Sequence, residues 1–152
     1  MKQKIVVCDI DGTIANDEKR KNDARGSDGQ INWDKYFEAI NVLHDKPNES
    51  LRNRLNEYRT TKGLPIVFLT GRPNYLYSAT MRWFFLNEIP VDLLIMRDVS
   101  DTSYLDIEDF KTRKLNDILQ LYDIEIAFDD LDEGIKACQN NNINCEKIEI
   151  KE

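Results

Sequence analysis

Ile5-Val6-Val7-Cys8-Asp9-Ile10-Asp11-Gly12-Thr13 is the stretch on which the fold turns. Ile5 to Cys8 is a short, continuous apolar run rich in β-branched residues, the pattern of a strand buried on both faces. Such strands belong to parallel sheets covered by helices on either side, and ligands on those sheets bind outside the carboxyl ends of the strands. Asp9 and Asp11 follow that end directly, so they are the first functional candidates.

Working outward, residues 14–31 are polar, with Gly26, Ser27 and Gly29 breaking any periodicity, and read as a long loop. Asn32 can cap a helix carrying Trp33, Tyr36, Phe37, Ile40 and Leu43 at helical spacing. After Pro47-Asn48, the residues Leu51, Leu55 and Tyr58 mark a helix ending near Gly63. Pro65–Leu69 is a second buried strand. Pro73 suits the first position of a helix whose inner face is Leu76, Thr80, Trp83 and Phe84. Then come a strand (Val91–Met96), a polar loop (97–106), an amphipathic helix (Ile107–Tyr122), a strand (Ile124–Phe128), a helix (Leu131–Asn140) and a last edge strand (Cys145–Ile150). This alternation implies an α/β fold with a mostly parallel sheet and helices on both faces. At 152 residues a single domain over 1–152 is expected, with 14–48 as a loop and helix insertion near the site.

Net charge is −7, which disfavours a protein that coats duplex nucleic acid through a broad basic face. The apolar runs are far shorter than the ~20 residues that span a bilayer, so no membrane partner is expected. Three cysteines without a C-x-x-C pair suggest a reducing, cytoplasmic setting. The one histidine, His44, rules out a multi-histidine zinc site, and no catalytic triad exists unless His44 is in it.

Three strand ends deliver polar groups to one rim: Asp9-Ile10-Asp11-Gly12-Thr13, Thr70-Gly71-Arg72 and Asp129-Asp130. A calcium loop does not fit, because its sixth and twelfth positions would be Ile14 and Arg20 rather than Gly and Glu. No phosphate-binding P-loop occurs. Four acids on one rim repel each other unless a cation sits among them, and oxygen ligands without His or Cys point to Mg²⁺. An aspartate after a strand can attack a phosphate covalently, and a second acid two residues on can protonate the leaving oxygen. A hydroxyl and a lysine are then needed to hold the phosphoryl oxygens. At about 100° per residue, Lys111 falls near the middle of the apolar stripe of the 107–122 helix and Lys114 nearer its edge. A charge placed there needs a partner.

In this order, Asp9-Ile10-Asp11-Gly12-Thr13, Thr70-Gly71-Arg72, Lys111 and Asp129-Asp130 resemble the four motifs of the haloacid dehalogenase-like (HAD) phosphatases. The likeness covers essentially the whole chain. Arg20, Asn32-Trp33-Asp34, Asp45-Lys46-Pro47-Asn48, Pro73, Met96-Arg97 and Phe128 make it most similar to the 3′-phosphatase domain of bacteriophage polynucleotide kinase and its stand-alone relatives. The resemblance implies a HAD-like Rossmannoid fold, a three-layer α/β/α sandwich with sheet order 5-4-1-2-3 and a minimal cap. It implies Asp9 as nucleophile, Asp11 as general acid and base, and Thr70 and Lys111 as catalytic partners. Arg20, Gly71 and Arg72 would bind substrate. Mg²⁺ would be held by Asp9, the backbone carbonyl of Asp11 and Asp130, with Asp129 the alternative to Asp130. The implied activity is a phosphomonoesterase working through an aspartyl-phosphate, on a nucleotide or a polynucleotide 3′-phosphate end. Rivals are a sugar-phosphate phosphatase, a phosphotransferase, and a non-catalytic phosphate-binding protein on the same fold. Two departures stand out. Leu131 follows the paired acids where relatives carry Arg, and Asp106 is one residue farther from Lys111 than their corresponding acid.

Among the remaining residues, Trp33, Tyr36, Phe37, Trp83, Phe84 and Phe85 read as core before they read as base-stacking groups. His44 reads as a helix-end residue and Cys8 as a buried apolar side chain. Arg20, Lys21 and Arg25 form either a solvated surface or a mobile substrate-gripping flap.

Overall fold

The computed structural model describes residues 1–151. Five parallel strands form the sheet: β1 (Gln3–Cys8), β4 (Ile66–Pro73), β5 (Leu93–Arg97), β6 (Tyr122–Asp129) and β7 (Cys145–Lys147), in the order β5-β4-β1-β6-β7. Counting only these five in chain order, and reading from the β7 edge, this is the expected 5-4-1-2-3. Two short strands, β2 (Ala15–Asn16) and β3 (Lys46–Pro47), pair antiparallel as a separate ribbon.

The strict alternation of β1 explains the three layers. Ile5 and Val7 face one side with Val67, Leu69, Phe110, Leu115 and Ala137, while Val6 and Cys8 face the other with Leu51, Leu55, Phe68, Trp83 and Phe84. Thus α4 (Glu49–Thr60) and α5 (Tyr77–Leu86) cover one face, and α6 (Ile107–Leu121) and α7 (Asp132–Asn140) cover the other. Register then builds the rim. Cys8 is level with Phe68 and with Phe128, so the next residue of each strand brings Asp9 alongside Leu69 and Asp129.

The region after β1 departs from expectation. Within 14–31 the chain forms β2 and a helix, α1 (Glu18–Asp23), not an unbroken loop. The helix expected from Asn32 to Leu43 is broken into α2 (Trp33–Tyr36) and α3 (Ala39–Leu43). Asn32 does cap its start, accepting from Lys35 N at 3.2 Å. The break follows from competition for a carbonyl: Arg20 Nη1 donates to Tyr36 O at 2.9 Å, the oxygen a continuous helix would offer to residue 40. The segment returns through β3, where Asn48 N donates to Ile14 O at 2.7 Å. Pro73 ends β4 beside Arg97, and a 3₁₀ turn (Asn74–Leu76) precedes α5, so proline is not that helix's first residue. The edge strand stops at Lys147 rather than Ile150. Among the described residues, no helix is long and apolar enough to cross a membrane.

Candidate active site

Asp9 leaves β1 with its N–H donating to Phe128 O at 2.9 Å, so the nucleophile candidate is locked to the neighbouring strand. The chain then turns tightly, with Thr13, Ile14 and Ala15 N–H groups all donating to Ile10 O. Gly12 has φ +77°, and a Cβ there would stand 2.1 Å from Asp130 Oδ2. No other residue allows both that backbone and that approach. Gly134 permits the close approach alone for Asp129, whose Oδ2 would lie 2.0 Å from a Cβ.

Oxygens of Asp9, Asp129 and Asp130 lie within 4.8 Å of one another. Thr13 Oγ1 stands 3.2 Å from Asp9 Oδ2 and 3.1 Å from Asp130 Oδ1, with one proton to give. Lys111 is 4% exposed, and its Nζ lies 3.1 Å from Asp9 Oδ1 and 2.6 Å from Asp129 Oδ2. The lysine on the apolar stripe therefore has its partners. Burial opposes its charge, yet the two carboxylates outweigh burial and hold its pKa above the ordinary range. Burial pushes the Asp9 carboxyl well up, Asp129 adds to that, and Lys111 pulls against both. This oxygen-only cluster carries more negative charge than one lysine neutralises, which is the chemistry of a hard divalent cation site.

A second cluster adjoins it. Arg72, 1% exposed, grips Asp11 through Nε at 3.0 Å and Nη2 at 2.7 Å, and its Nη1 donates to Thr80 Oγ1 at 3.1 Å. Arg20 donates to Asp11 as well, and to Asp45 through Nε at 3.1 Å and Nη2 at 2.8 Å. Burial would raise the Asp11 pKa, but Arg72 and then Arg20 hold it far below the usual carboxylate range. Burial lifts Asp45 to about 6 against the pull of Arg20. Arg20 is only 3% exposed, so neither the solvated surface nor the mobile flap is its setting. Thr70 Oγ1 accepts from Arg72 N at 3.1 Å, and Gly71 O accepts from Arg97 Nε at 3.1 Å.

Asp9, Asp11, Arg20, Thr70, Gly71, Arg72, Lys111, Asp129 and Asp130 converge on this rim. By contrast, Asp106 caps α6 by accepting from Asp109 N at 2.8 Å, Arg25 donates to Gly29 O at the surface, and Lys114 lies over the Tyr104 ring. His44 ends α3 and Cys8 is fully buried, both as expected. Asp45 and Thr13 were not singled out, though Asp45 lies within a quoted motif and Thr13 within another. Nothing local in the sequence announces that Asp45 pairs with an arginine 25 residues away. The aromatic residues divide: Trp83 and Phe84 are core, Trp33 and Phe85 are exposed, and Trp33, Tyr36 and Phe37 line the cavity in front of Asp9 and Asp11.

A family model described as the polynucleotide kinase PNKP phosphatase domain matches residues 3–151. The chain belongs to that family. It is a HAD-type phosphatase, and the family supplies the expectation of a divalent metal that the acidic cluster fits. Two structures of Pnkp1/Rnl/Hen1 RNA repair complexes contain a similar fold. One aligns with TM-score 0.75 at 23% identity over 99% of this chain and 44% of that one; the other with 0.76 at 24% identity over 99% and 47%. The chain thus spans less than half the length of those proteins. A haloacid dehalogenase-like hydrolase from Streptococcus pneumoniae aligns with TM-score 0.65 at 14% identity, over 94% of this chain and 83% of its own length. No curated protein matches.

Proposed function

We propose that the protein is a Mg²⁺-dependent phosphomonoesterase acting on polynucleotide 3′-phosphate ends through an aspartyl-phosphate on Asp9. The observation that carries this is Asp9 at the strand end with Lys111 Nζ at 3.1 Å, and Asp11 two residues along the same turn. The family match and the RNA-repair context of the two similar structures support the substrate class.

A carboxylate oxygen of Asp9 attacks phosphorus, forming the acyl-phosphate bond as the bond from phosphorus to the 3′ oxygen breaks. Asp11 can supply the proton that the leaving oxygen takes up once the phosphate dianion draws Arg72 and Arg20 off its carboxylate, because those two cations are what hold its pKa down. Water then attacks the phosphorus of the intermediate, Asp11 takes its proton, and inorganic phosphate leaves with Asp9 restored. Lys111, Thr70 and the Gly71 backbone hold phosphoryl oxygens, while Arg72 and Arg20 meet the incoming dianion. Asp9, the Asp11 carbonyl and Asp130 would hold Mg²⁺, which when bound would supply positive charge between nucleophile and phosphate. Asp130 suits direct ligation better than Asp129, which already accepts from Lys111 and from Leu131 N at 3.1 Å.

A phosphate-release screen tests the reading. It compares 3′- and 5′-phosphorylated oligonucleotides, mononucleotides and sugar phosphates. The highest kcat/KM is expected on the 3′-phosphorylated oligonucleotide. Sugar phosphates hydrolysed with all oligonucleotides inert would overturn the substrate class, and the absence of an acid-trapped phosphoryl group on Asp9 would overturn the mechanism.

A further inference from the structure

The phosphoryl site opens into a cavity of about 760 Å³, far more than a phosphoryl group fills. Its outer part is apolar and aromatic. Trp33 is 57% exposed and Tyr75 62% exposed, and both line this cavity from separate elements, the start of α2 and the turn after β4. The chain hides its other tryptophan, Trp83, completely, so leaving Trp33 in water is a cost without return inside the fold.

Trp33 is nevertheless held firmly. Its ring stacks on Phe37 with centroids 6.0 Å apart and planes 26° apart, and it meets Tyr36 edge-on at 5.3 Å. Tyr36 is itself fixed at both ends, its hydroxyl donating to Asp17 and its carbonyl accepting from Arg20. Arg20, together with Arg72, grips Asp11. Two residues, Tyr36 and Arg20, therefore link the exposed indole to Asp11. Lys21 and Arg97 line the same cavity and supply positive charge against a phosphodiester, with Asp17 and Asp34 the acids there besides those of the reacting rim.

We propose that Trp33 is the stacking platform for the nucleobase of the 3′-terminal nucleotide. The inference rests on the 3′-phosphatase reading and adds to it a specificity-determining residue. Stacking suits a sequence-tolerant enzyme, because every base presents a π face, and a preordered ring loses little entropy when the base arrives. It also lets an acidic protein recognise a nucleic-acid end locally, without a broad basic surface.

The test uses a single-stranded 3′-phosphorylated oligonucleotide and its twin with an abasic 3′-terminal residue, each assayed with the wild type, Trp33→Ala and Trp33→Phe. With the base present, Trp33→Ala should lower kcat/KM roughly tenfold, the scale of one lost base–aromatic stack. On the abasic twin the ratio of wild type to Trp33→Ala should shrink to near one, and Trp33→Phe should recover most of the loss. Equal losses on both substrates would assign Trp33 a purely structural role through Tyr36 and overturn the proposal, as would no loss on either. A second readout needs no turnover: in Asp9→Asn, the base-containing oligonucleotide should quench tryptophan fluorescence, and Trp33→Phe should abolish that quench, since Trp83 is sealed from contact. An unchanged quench in Trp33→Phe would also overturn it. Failure of the wild type on every 3′-phosphorylated oligonucleotide, with other phosphomonoesters hydrolysed, would instead bring down the substrate reading beneath it.

Discussion

Two acidic clusters share the rim of the sheet and are stabilised in opposite ways. Asp9, Asp129 and Asp130 face one buried cation, Lys111. Asp11 and Asp45 face two buried guanidiniums, Arg20 and Arg72. The first set is under-neutralised and held together by strand register and by two glycines that let acids crowd in. The second is balanced in charge and closed until a phosphate dianion competes with Asp11 for its arginines. An open cluster waits for charge from outside, which suits a metal and a reacting phosphate. A closed cluster fixes geometry, which suits the aiming of Asp11. The contrast implies that removing an acid from the first set harms chemistry, whereas removing a cation from the second harms the fold as well.

The largest expected effect is Asp9→Asn. Turnover should fall by roughly three orders of magnitude or more, because an amide is no nucleophile. The melting temperature should stay within a few degrees of wild type, since an acid repelled by Asp129 has been replaced by a neutral group of equal size and Lys111 keeps Asp129. Phosphate release and calorimetry on the same preparation check both halves. A large loss of stability would show that the first cluster is not under-neutralised.

Arg20→Ala should behave in the reverse manner. It leaves buried Asp45 with only Arg72 at 3.6 Å and strips one side of Asp11 of its cation, a change of the class that costs up to roughly 3–5 kcal/mol. Chemical denaturation should show that loss, and kcat as well as kcat/KM should drop because Asp11 loses half its anchorage. Adding Asp45→Asn should recover part of the stability, giving a clear coupling energy in a double-mutant cycle. Purely additive losses would separate the two residues energetically despite their contact.

These two clusters were unequally legible in the sequence. Asp9, Asp11, Thr70, Lys111, Asp129 and Asp130 stand at strand ends or on a regular helical stripe, so periodicity places them, although the role of Lys111 is legible only beside the other three motifs. Arg20 and Asp45 of the second cluster hang on the chain between β2 and β3, whose helices run for only six, four and five residues. Helices that short have little propensity of their own and form through tertiary contacts. The Arg20–Asp45 and Arg20–Tyr36 bonds that shape them join residues far apart in the chain, so from sequence 14–31 reads as a loop, the stretch after Asn32 as one unbroken helix, and Arg20 as solvated surface or mobile flap. Trp33 misled for the same reason: helical spacing placed it with Tyr36 and Phe37, but the break after Tyr36 left it at the cavity.

Metal removal probes the open cluster directly. EDTA should abolish turnover, and Mg²⁺ at about a hundredfold over its Kd should stabilise the native protein by roughly 2.7 kcal/mol. That corresponds to an upward melting shift of about 5–10 °C for a chain of this size. In Asp130→Asn the shift should shrink strongly, while in Arg20→Ala it should persist from a lower starting point. An equal shift in Asp130→Asn and the wild type would remove Asp130 from the metal site.

Asp106 tests whether a third nearby acid belongs to either cluster. It precedes the helix that carries Lys111, and by position along the chain it resembles an acid of related enzymes. Its side chain accepts from Asp109 N at 2.8 Å and makes no ion pair with Lys111, Arg20 or Arg72 among the described residues. The structure therefore gives it the work of satisfying an orphan N–H at the start of α6. Asp106→Ala should cost roughly 1 kcal/mol of stability, the usual loss for such a cap. Asp106→Ser should restore most of it, because a hydroxyl caps as well as a carboxylate and carries no charge. Lys111 sits more than a turn into the helix and is pinned by Asp9 and Asp129, so fraying at the cap should leave kcat within about twofold of wild type. A hundredfold loss of kcat in Asp106→Ala that Asp106→Ser fails to restore would instead enlist Asp106 in the chemistry of the open cluster.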